Sequence, residues 1–515
     1  MATSHFQQHF LYLPSLDISL DTTKVLFASS FFEEMQPKIT QALQDMSALE
    51  AGSIANPDEH RMVGHYWLRN HALAPNEAIC DELRENEQKR KDFVERILNE
   101  KSFKNLLCIG IGGSALGPQL LSDAFGAERE GLRAFFIDNT DPDGIGRILR
   151  RLDLELAQTL VMTTSKSGST PEPRNGLAEV RDVFRRKNLP FAQQAIAVTC
   201  EGSVLDRLAC KEQWLARFPM WDWVGGRTSL FSNVGLLPAA LQGISTEELL
   251  KGASEMDAFT RETDISHNPA LMLALSWYAC TDGHGKRNMV VLPYRDALVL
   301  FPKYLQQLVM ESLGKKLGLD GNVVHQGLTV YGNKGSTDQH AYVQQLRDGL
   351  EDAFVTFIEV QKSSRPSSVE VESGLTSGDF LEGFLLGTRA ALSDVRRPSI
   401  TITLKALNER SLGALVALFE RAVGFYASFI HINAYHQPGV EAGKKAAKRY
   451  LELQKNLLSY LSEHRAGTFS VETLADILKV PNAEDVFKIL EYLAANERII
   501  RHTASPLTQS TYGIK

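Results

Sequence analysis

Leu106-Leu107-Cys108-Ile109-Gly110-Ile111-Gly112-Gly113-Ser114 sets the architecture of this chain. Four apolar residues make a short buried strand, and the glycines after them let the backbone turn sharply into a helix over Leu116 to Phe125. The same unit then recurs. Ala134 to Ile137, Thr159 to Thr163 and Ala195 to Thr199 read as further strands, with Ile148 to Leu156 partly helical and Pro173 to Arg186 a helix. Strand, loop and helix in alternation imply a parallel sheet with helices on its faces.

The pattern restarts downstream. Met289 to Pro293, Phe354 to Ile358 and Ser399 to Leu404 are strand candidates, and helices are expected at about Ala270 to Thr281, Lys303 to Leu317 and Ser411 to Ile430. Two α/β domains follow, joined near Leu236 to Glu247. The first hundred residues read as helical, with Glu82 to Asn99 a charged helix whose apolar edge is Phe93, Ile97 and Leu98. From about Thr468 the tail reads as helix, helix and wing. The expected division is 1–100 for a helical N-terminal region, 101–240 and 241–450 for the α/β domains, and 451–515 for a small winged-helix-like C-terminal appendage.

A winged helix raises the question of DNA. Thr468 to Lys515 carries five basic residues against six acidic ones, and the candidate recognition helix offers Glu484, Asp485 and Glu491. Phosphate contacts dominate DNA affinity, so a packing appendage is the better reading. The whole chain has 515 residues and a net charge of −7, which disfavours generic binding to nucleic acid or anionic membrane. Hydrophobic residues make up 43% and charged ones 23%, the balance of a soluble globular protein. The most apolar helical candidate, Gly413 to Ile430, holds Glu420 and Arg421 at its middle and reads as a core helix. Met1 to Phe10 has neither the basic nor the apolar region of a signal peptide. The five cysteines show no C-x-x-C spacing; several sit in apolar runs and fit packed thiols, in keeping with a reducing cytoplasm.

Four segments carry the chemistry. Gly110 to Ser114 and Ser165-Lys166-Ser167-Gly168-Ser169-Thr170 each follow an apolar run and open a helix. Backbone N–H groups and hydroxyls at a helix N-terminus suit a phosphate. Gly225-Gly226-Arg227-Thr228-Ser229 and Gln437-Pro438-Gly439-Val440-Glu441-Ala442-Gly443-Lys444 set a cation among glycines. Gly110-x-Gly112-x-x-Ala115 also fits a dinucleotide fingerprint, with Asp138 ending the next strand. Two phosphate cradles instead suit a small dianionic monoester. Lys166 reads either as a phosphate ligand or as a solvated lysine. Glu311 falls off the apolar stripe Leu305, Leu308, Val309 and Leu313 at roughly 100° per residue, so periodicity alone makes it a surface glutamate. His340 opens a helix after Gly335 to Gln339, and Lys444 starts a basic helix face. No His/Cys/Asp cluster has metal spacing.

Taken together, these stretches closely resemble the glucose-6-phosphate isomerase family. The matching segments are Gly110 to Pro118, Ser165 to Glu172, Gly225 to Ser229, Met310 to Lys315, Gly335 to His340 and Gln437 to Lys444, within Phe103 to Tyr450. Two positions depart from the family pattern: Thr228 stands where an aromatic residue is common, and Ser336-Thr-Asp-Gln-His340 where Thr-Asn-Gly-Gln-His is common. The resemblance implies two sugar-isomerase (SIS)-type α/β domains with parallel sheets flanked by helices, a cytoplasmic homodimer with shared active sites, and no metal or organic cofactor. It implies reversible isomerisation of glucose 6-phosphate to fructose 6-phosphate through ring opening and an enediolate. Gly113, Ser114, Ser165, Ser167 and Thr170 would bind phosphate and sugar. His340, helped by Lys444, would open the ring. Glu311 would move the proton between carbon 2 and carbon 1, and Arg227 would stabilise the enediolate. Glu172 would orient His340, and Gln437 would contact the sugar. The resemblance also implies that His340 reaches into the partner subunit's site. Two alternatives remain: a non-catalytic sugar-phosphate-binding regulator, which should lack Glu311 or His340, and a nicotinamide-dependent dehydrogenase, favoured only by Gly110 to Ala115.

Overall fold

The strand Asn105–Ile109 is buried at every position and lies inside a five-stranded sheet. Its neighbours run in the order Arg133–Ile137, Asn105–Ile109, Thr159–Thr164, Ala195–Thr199, Ala216–Pro219, every pair parallel. The chain therefore adds its second strand on one side of the first and its third on the other. Such a reversal opens a crevice at the carboxyl ends of the two central strands, where ligands of open α/β sheets bind. Ile109 and Thr163 sit side by side at that edge. The glycine turn leaves one strand and the serine loop leaves the other.

The computed structural model describes residues 6–365 and 368–514, in two compact units, Met1–His436 and Gln437–Lys515. The first unit holds a second sheet as well. Its parallel strands Val330–Tyr331, Asn288–Pro293, Ala353–Lys362 and Ser399–Ala406 match the restart of the pattern. The expected α/β class with parallel sheets flanked by helices is thus present.

The N-terminal region is not wholly helical. Phe10–Leu13 and Ile18–Lys24 form an antiparallel hairpin, and Ile18–Lys24 pairs antiparallel with Ser399–Ala406 to extend the second sheet. Burial alternates along Phe10–Leu13, with Leu11 and Leu13 in and Phe10 and Tyr12 out, the mark of a strand covered on one face. Helices follow at Phe31–Glu50 and Glu77–Glu100.

Glu409–Phe429 is long and apolar enough to cross a membrane by composition, but 94% of its apolar window is buried inside the first unit. Its two central charges have partners there. Arg421 Nε donates to Asp257 Oδ1 at 2.8 Å, Arg69 donates to the same oxygen at 2.7 Å, and Glu50 and Glu420 close the cluster. A buried charge is tolerated when it is paired in this way.

In the second unit, Pro438–Glu463 leads to Val471–Ile477, Ala483–Ala495 and a three-stranded sheet of Phe469–Ser470, Thr511–Gly513 and Ile500–His502. Leu474, Val486, Leu490, Leu493 and Tyr512 fill its core. This is the winged-helix-like appendage, and the helix at its entry starts before the expected boundary at 451.

Candidate active site

The glycine turn is shaped by Gly112, whose φ of +57° lies in the left-handed region, and it releases the helix Gly113–Phe125. A Cβ built on Gly113 would stand 1.8 Å from the carbonyl oxygen of Gly226. No side chain fits there, so the first motif rests directly on the backbone of the third. A Cβ on Gly112 would meet Gln307 Nε2 at 3.0 Å, which brings the segment before Glu311 to the same place. Ser114 is half-buried on the first helical turn.

The serine loop is internally braced. Ser165 is buried and its hydroxyl accepts the Gly168 N–H at 3.1 Å. Ser167 Oγ lies 3.0 Å from Ser169 Oγ and accepts the Ser169 N–H at 3.2 Å. Thr170 precedes the helix Pro171–Arg186, and its side chain makes no capping hydrogen bond. Glu172 is half-buried on the first turn of that helix. Lys166 is half-buried and held by backbone carbonyls. Its ammonium donates to the carbonyls of Asp222 at 2.7 Å and Val224 at 3.1 Å, tying the serine loop to the chain just before Gly225.

Arg227 is 4% exposed on the short turn Gly226–Thr228. Its Nε donates to Ser312 Oγ at 2.7 Å and its Nη2 to the His436 carbonyl at 3.2 Å, with the Ala434 carbonyl as a further acceptor. Its Nη1 lies 3.6 Å from Glu311 Oε2. Burial lowers its pKa and Glu311 raises it, but a guanidinium stays charged throughout. Thr228, the departure from the aromatic, turns its hydroxyl onto the Gly225 carbonyl at 3.3 Å.

Glu311 is not a surface glutamate. The expected helix from Lys303 to Leu317 is instead an α-helical segment Phe301–Leu305, a π-helical segment Gln306–Glu311, and a strand from Lys315. The wider π turn shifts the angular phase, so a residue off the 100° stripe faces inward. Such segments recur at functional sites. Glu311 Oε2 is buried and accepts no hydrogen bond among the described residues. A buried carboxylate oxygen left open beside a fixed cation is an arrangement that suits a proton acceptor.

Sequence reasoning missed Lys315. It is 5% exposed, and its ammonium donates to the Glu311 carbonyl at 2.6 Å and the His436 carbonyl at 3.0 Å. Burial, then Arg227, lowers its pKa, opposed by Glu311 and Asp58, leaving it at about 7.

The structure therefore brings Gly113, Arg227 and Glu311 together. It does not bring His340 to Glu311: His340 is exposed at the end of the turn Thr337–His340 and makes no bond with Glu311 among the described residues. The turn is organised by Asp338, the other departure, whose carboxylate accepts from Asn333 N–H at 2.8 Å and from the Tyr342 hydroxyl. Gln437 and Lys444 belong to the second unit, at the start of Pro438–Glu463, where Lys444 is exposed. No group of three metal-ligating side chains occurs among the described residues.

Comparison with known proteins bears on this geometry. The family model of phosphoglucose isomerase matches residues 32–471. A glucose-6-phosphate isomerase of Geobacter sulfurreducens is 53% identical over 521 aligned positions, covering 99% of this chain and 98% of its own. One from a Nostoc species is 53% identical over 501 positions, covering 96% and 95%. Among solved structures, a glucose-6-phosphate isomerase from Chlamydia trachomatis superposes with a TM-score of 0.81 at 26% identity, covering 95% of this chain and 94% of its own.

Proposed function

We propose, for a chain that belongs to the phosphoglucose isomerase family and interconverts glucose 6-phosphate and fructose 6-phosphate, that the reaction is carried by the pair Glu311 and Arg227. The observation that supports this is the open, buried Glu311 oxygen 3.6 Å from a guanidinium that is itself 4% exposed.

The substrate proton to be moved lies next to a carbonyl and is only weakly acidic. A positioned carboxylate taking it contributes typically ~10²–10⁴-fold. Carbons 1 and 2 are adjacent, so one carboxylate serves both. The negative charge that develops on the enediolate oxygens falls beside Arg227, and a preorganised cation there is worth about 3–4 kcal/mol. The serine loop and the glycine turn, at the carboxyl ends of neighbouring strands, suit the phosphate: Ser165, Ser167, Thr170, Gly113 and Ser114 supply hydroxyl and backbone donors.

Ring opening must precede proton transfer and needs an acid at the ring oxygen. The partner subunit's His340 fills that role in a homodimer with shared sites, with Lys444 assisting, Glu172 orienting the imidazole and Gln437 on the sugar. The exposure of His340 on a turn of its own subunit supports this arrangement. The cytoplasm is the compartment proposed for this metabolic enzyme.

The dehydrogenase reading rests only on the glycine turn, and the relatives that match nearly the whole chain are glucose-6-phosphate isomerases. A non-catalytic regulator needs no buried carboxylate beside Arg227. The test is to supply purified protein with fructose 6-phosphate and a coupling enzyme that consumes glucose 6-phosphate. Steady, enzyme-proportional turnover is expected, and its absence overturns the assignment.

A further inference from the structure

Lys315 is buried just beyond the segment that carries Glu311, and the reaction as described does not use it. Its ammonium bridges two carbonyls, of Glu311 and of His436. Arg227 donates to the same His436 carbonyl. Two cations, one on a turn and one at the start of a strand, therefore meet on one acceptor, and each also holds the Glu311 segment: Arg227 through Ser312 and the Glu311 carboxylate, Lys315 through the Glu311 backbone. Among the described residues Lys315 has no carboxylate ion-pair partner, so its charge is answered only by carbonyl dipoles and by more distant Glu311 and Asp58.

We propose that Lys315 is a positioning residue for isomerisation, fixing the Glu311 backbone against the His436 carbonyl and placing a second cation behind the base. This rests on Glu311 being the base. The groups facing Lys315 are Arg227, Asp58, Glu311 and His436. Arg227 opposes its charge; Glu311 and Asp58 favour it. Proton loss from Lys315 near neutral pH weakens both the clamp and the local positive potential. The effect should fall on kcat, since a displacement of roughly 1 Å at a reacting group can cost ~10²-fold while remote phosphate binding is untouched.

The experiment compares Lys315→Met and Lys315→Arg with the parental enzyme in the coupled assay across pH, with anomer interconversion of fructose 6-phosphate measured separately. Lys315→Met is expected to lower kcat at least ~10-fold while KM changes less than about threefold and anomer interconversion persists. Lys315→Arg should recover part of kcat and lose the near-neutral component of the alkaline limb, because a guanidinium does not titrate there. Parental kcat in Lys315→Met, or the same alkaline limb in Lys315→Arg and parent, overturns the proposal. The second criterion stands even where Lys315→Met does not fold. Glu311→Gln run alongside separates the two readings: if it is inactive while Lys315→Met is parental, only the Lys315 proposal fails, whereas an active Glu311→Gln removes the reading beneath it.

Discussion

Gly113 and Gly226 touch through their backbones: the position of a Cβ on Gly113 is 1.8 Å from the Gly226 carbonyl oxygen. The turn that ends the first strand of the sheet is thereby the platform on which the Arg227 turn sits. A single methyl group at Gly113 must push Gly226 and Arg227 away. We expect Gly113→Ala to lower kcat/KM by ~10²-fold or more, because Arg227 loses its place beside Glu311, and to lower the melting temperature. A Cβ on Gly226 meets nothing within 4 Å, so the melting temperature of Gly226→Ala should stay close to parental. Calorimetry and the coupled assay on both variants check the contrast.

The serine loop allows binding and folding roles to be separated. Ser165 accepts the Gly168 N–H and is buried, whereas the Thr170 side chain caps nothing. Thr170→Ala should raise KM without changing thermal stability. Ser165→Ala should raise KM and also lower stability. Each lost charge-assisted phosphate bond is worth roughly 1.5–3 kcal/mol, about ten-fold or more in binding. Some kcat should fall as well, since phosphate binding positions the reacting carbons. Unchanged kinetics in the double variant would place the phosphate elsewhere.

Stability of the first unit depends on the buried charges around the Glu409–Phe429 helix. Asp257 Oδ1 accepts from both Arg69 and Arg421, and all three side chains are almost fully enclosed. Asp257→Ala leaves two buried cations short of an anion, a change that costs about 3–5 kcal/mol. Denaturant unfolding should show that loss, and a shift below about 1 kcal/mol would mean that Glu50 and Glu420 suffice.

Assembly is testable by mixing. Glu311→Gln and His340→Ala, each nearly inactive alone, should recover activity when dissociated and re-associated together. In the proposed homodimer with shared sites, a mixed dimer carries both lesions in one site and none in the other. Equal amounts pair to give about half mixed dimers, so recovery should approach about a quarter of parental activity per subunit. Mixed dimers without recovery would put His340 and Glu311 in the same subunit's site.

The parallel sheet was legible in residues 106 to 199 because three of its strands there, Asn105–Ile109, Thr159–Thr164 and Ala195–Thr199, are buried at every position and leave largely apolar runs. The hairpin Phe10–Lys24 was not. Its first strand is four residues long, and its second mixes Ser19, Asp21, Thr22 and Thr23 with the apolar positions. Glu311 escaped periodicity because the π segment breaks the period on which the argument rests. The inward face of Lys315 depends on the chain leaving the helix at Gly314 for a strand, which no spacing rule signals. The resemblance found Glu311 and Arg227 from motif order; their 3.6 Å separation came only with the structure.

Glu311→Gln removes the proposed base and keeps the shape of the side chain. Ring opening is proposed for His340 and Lys444, so the variant separates the two chemical steps. With Glu311 as the base, isomerisation of fructose 6-phosphate is expected to fall by at least ~10²-fold while interconversion of its anomers continues at near the parental rate. Isomerisation at near the parental rate in Glu311→Gln would contradict it.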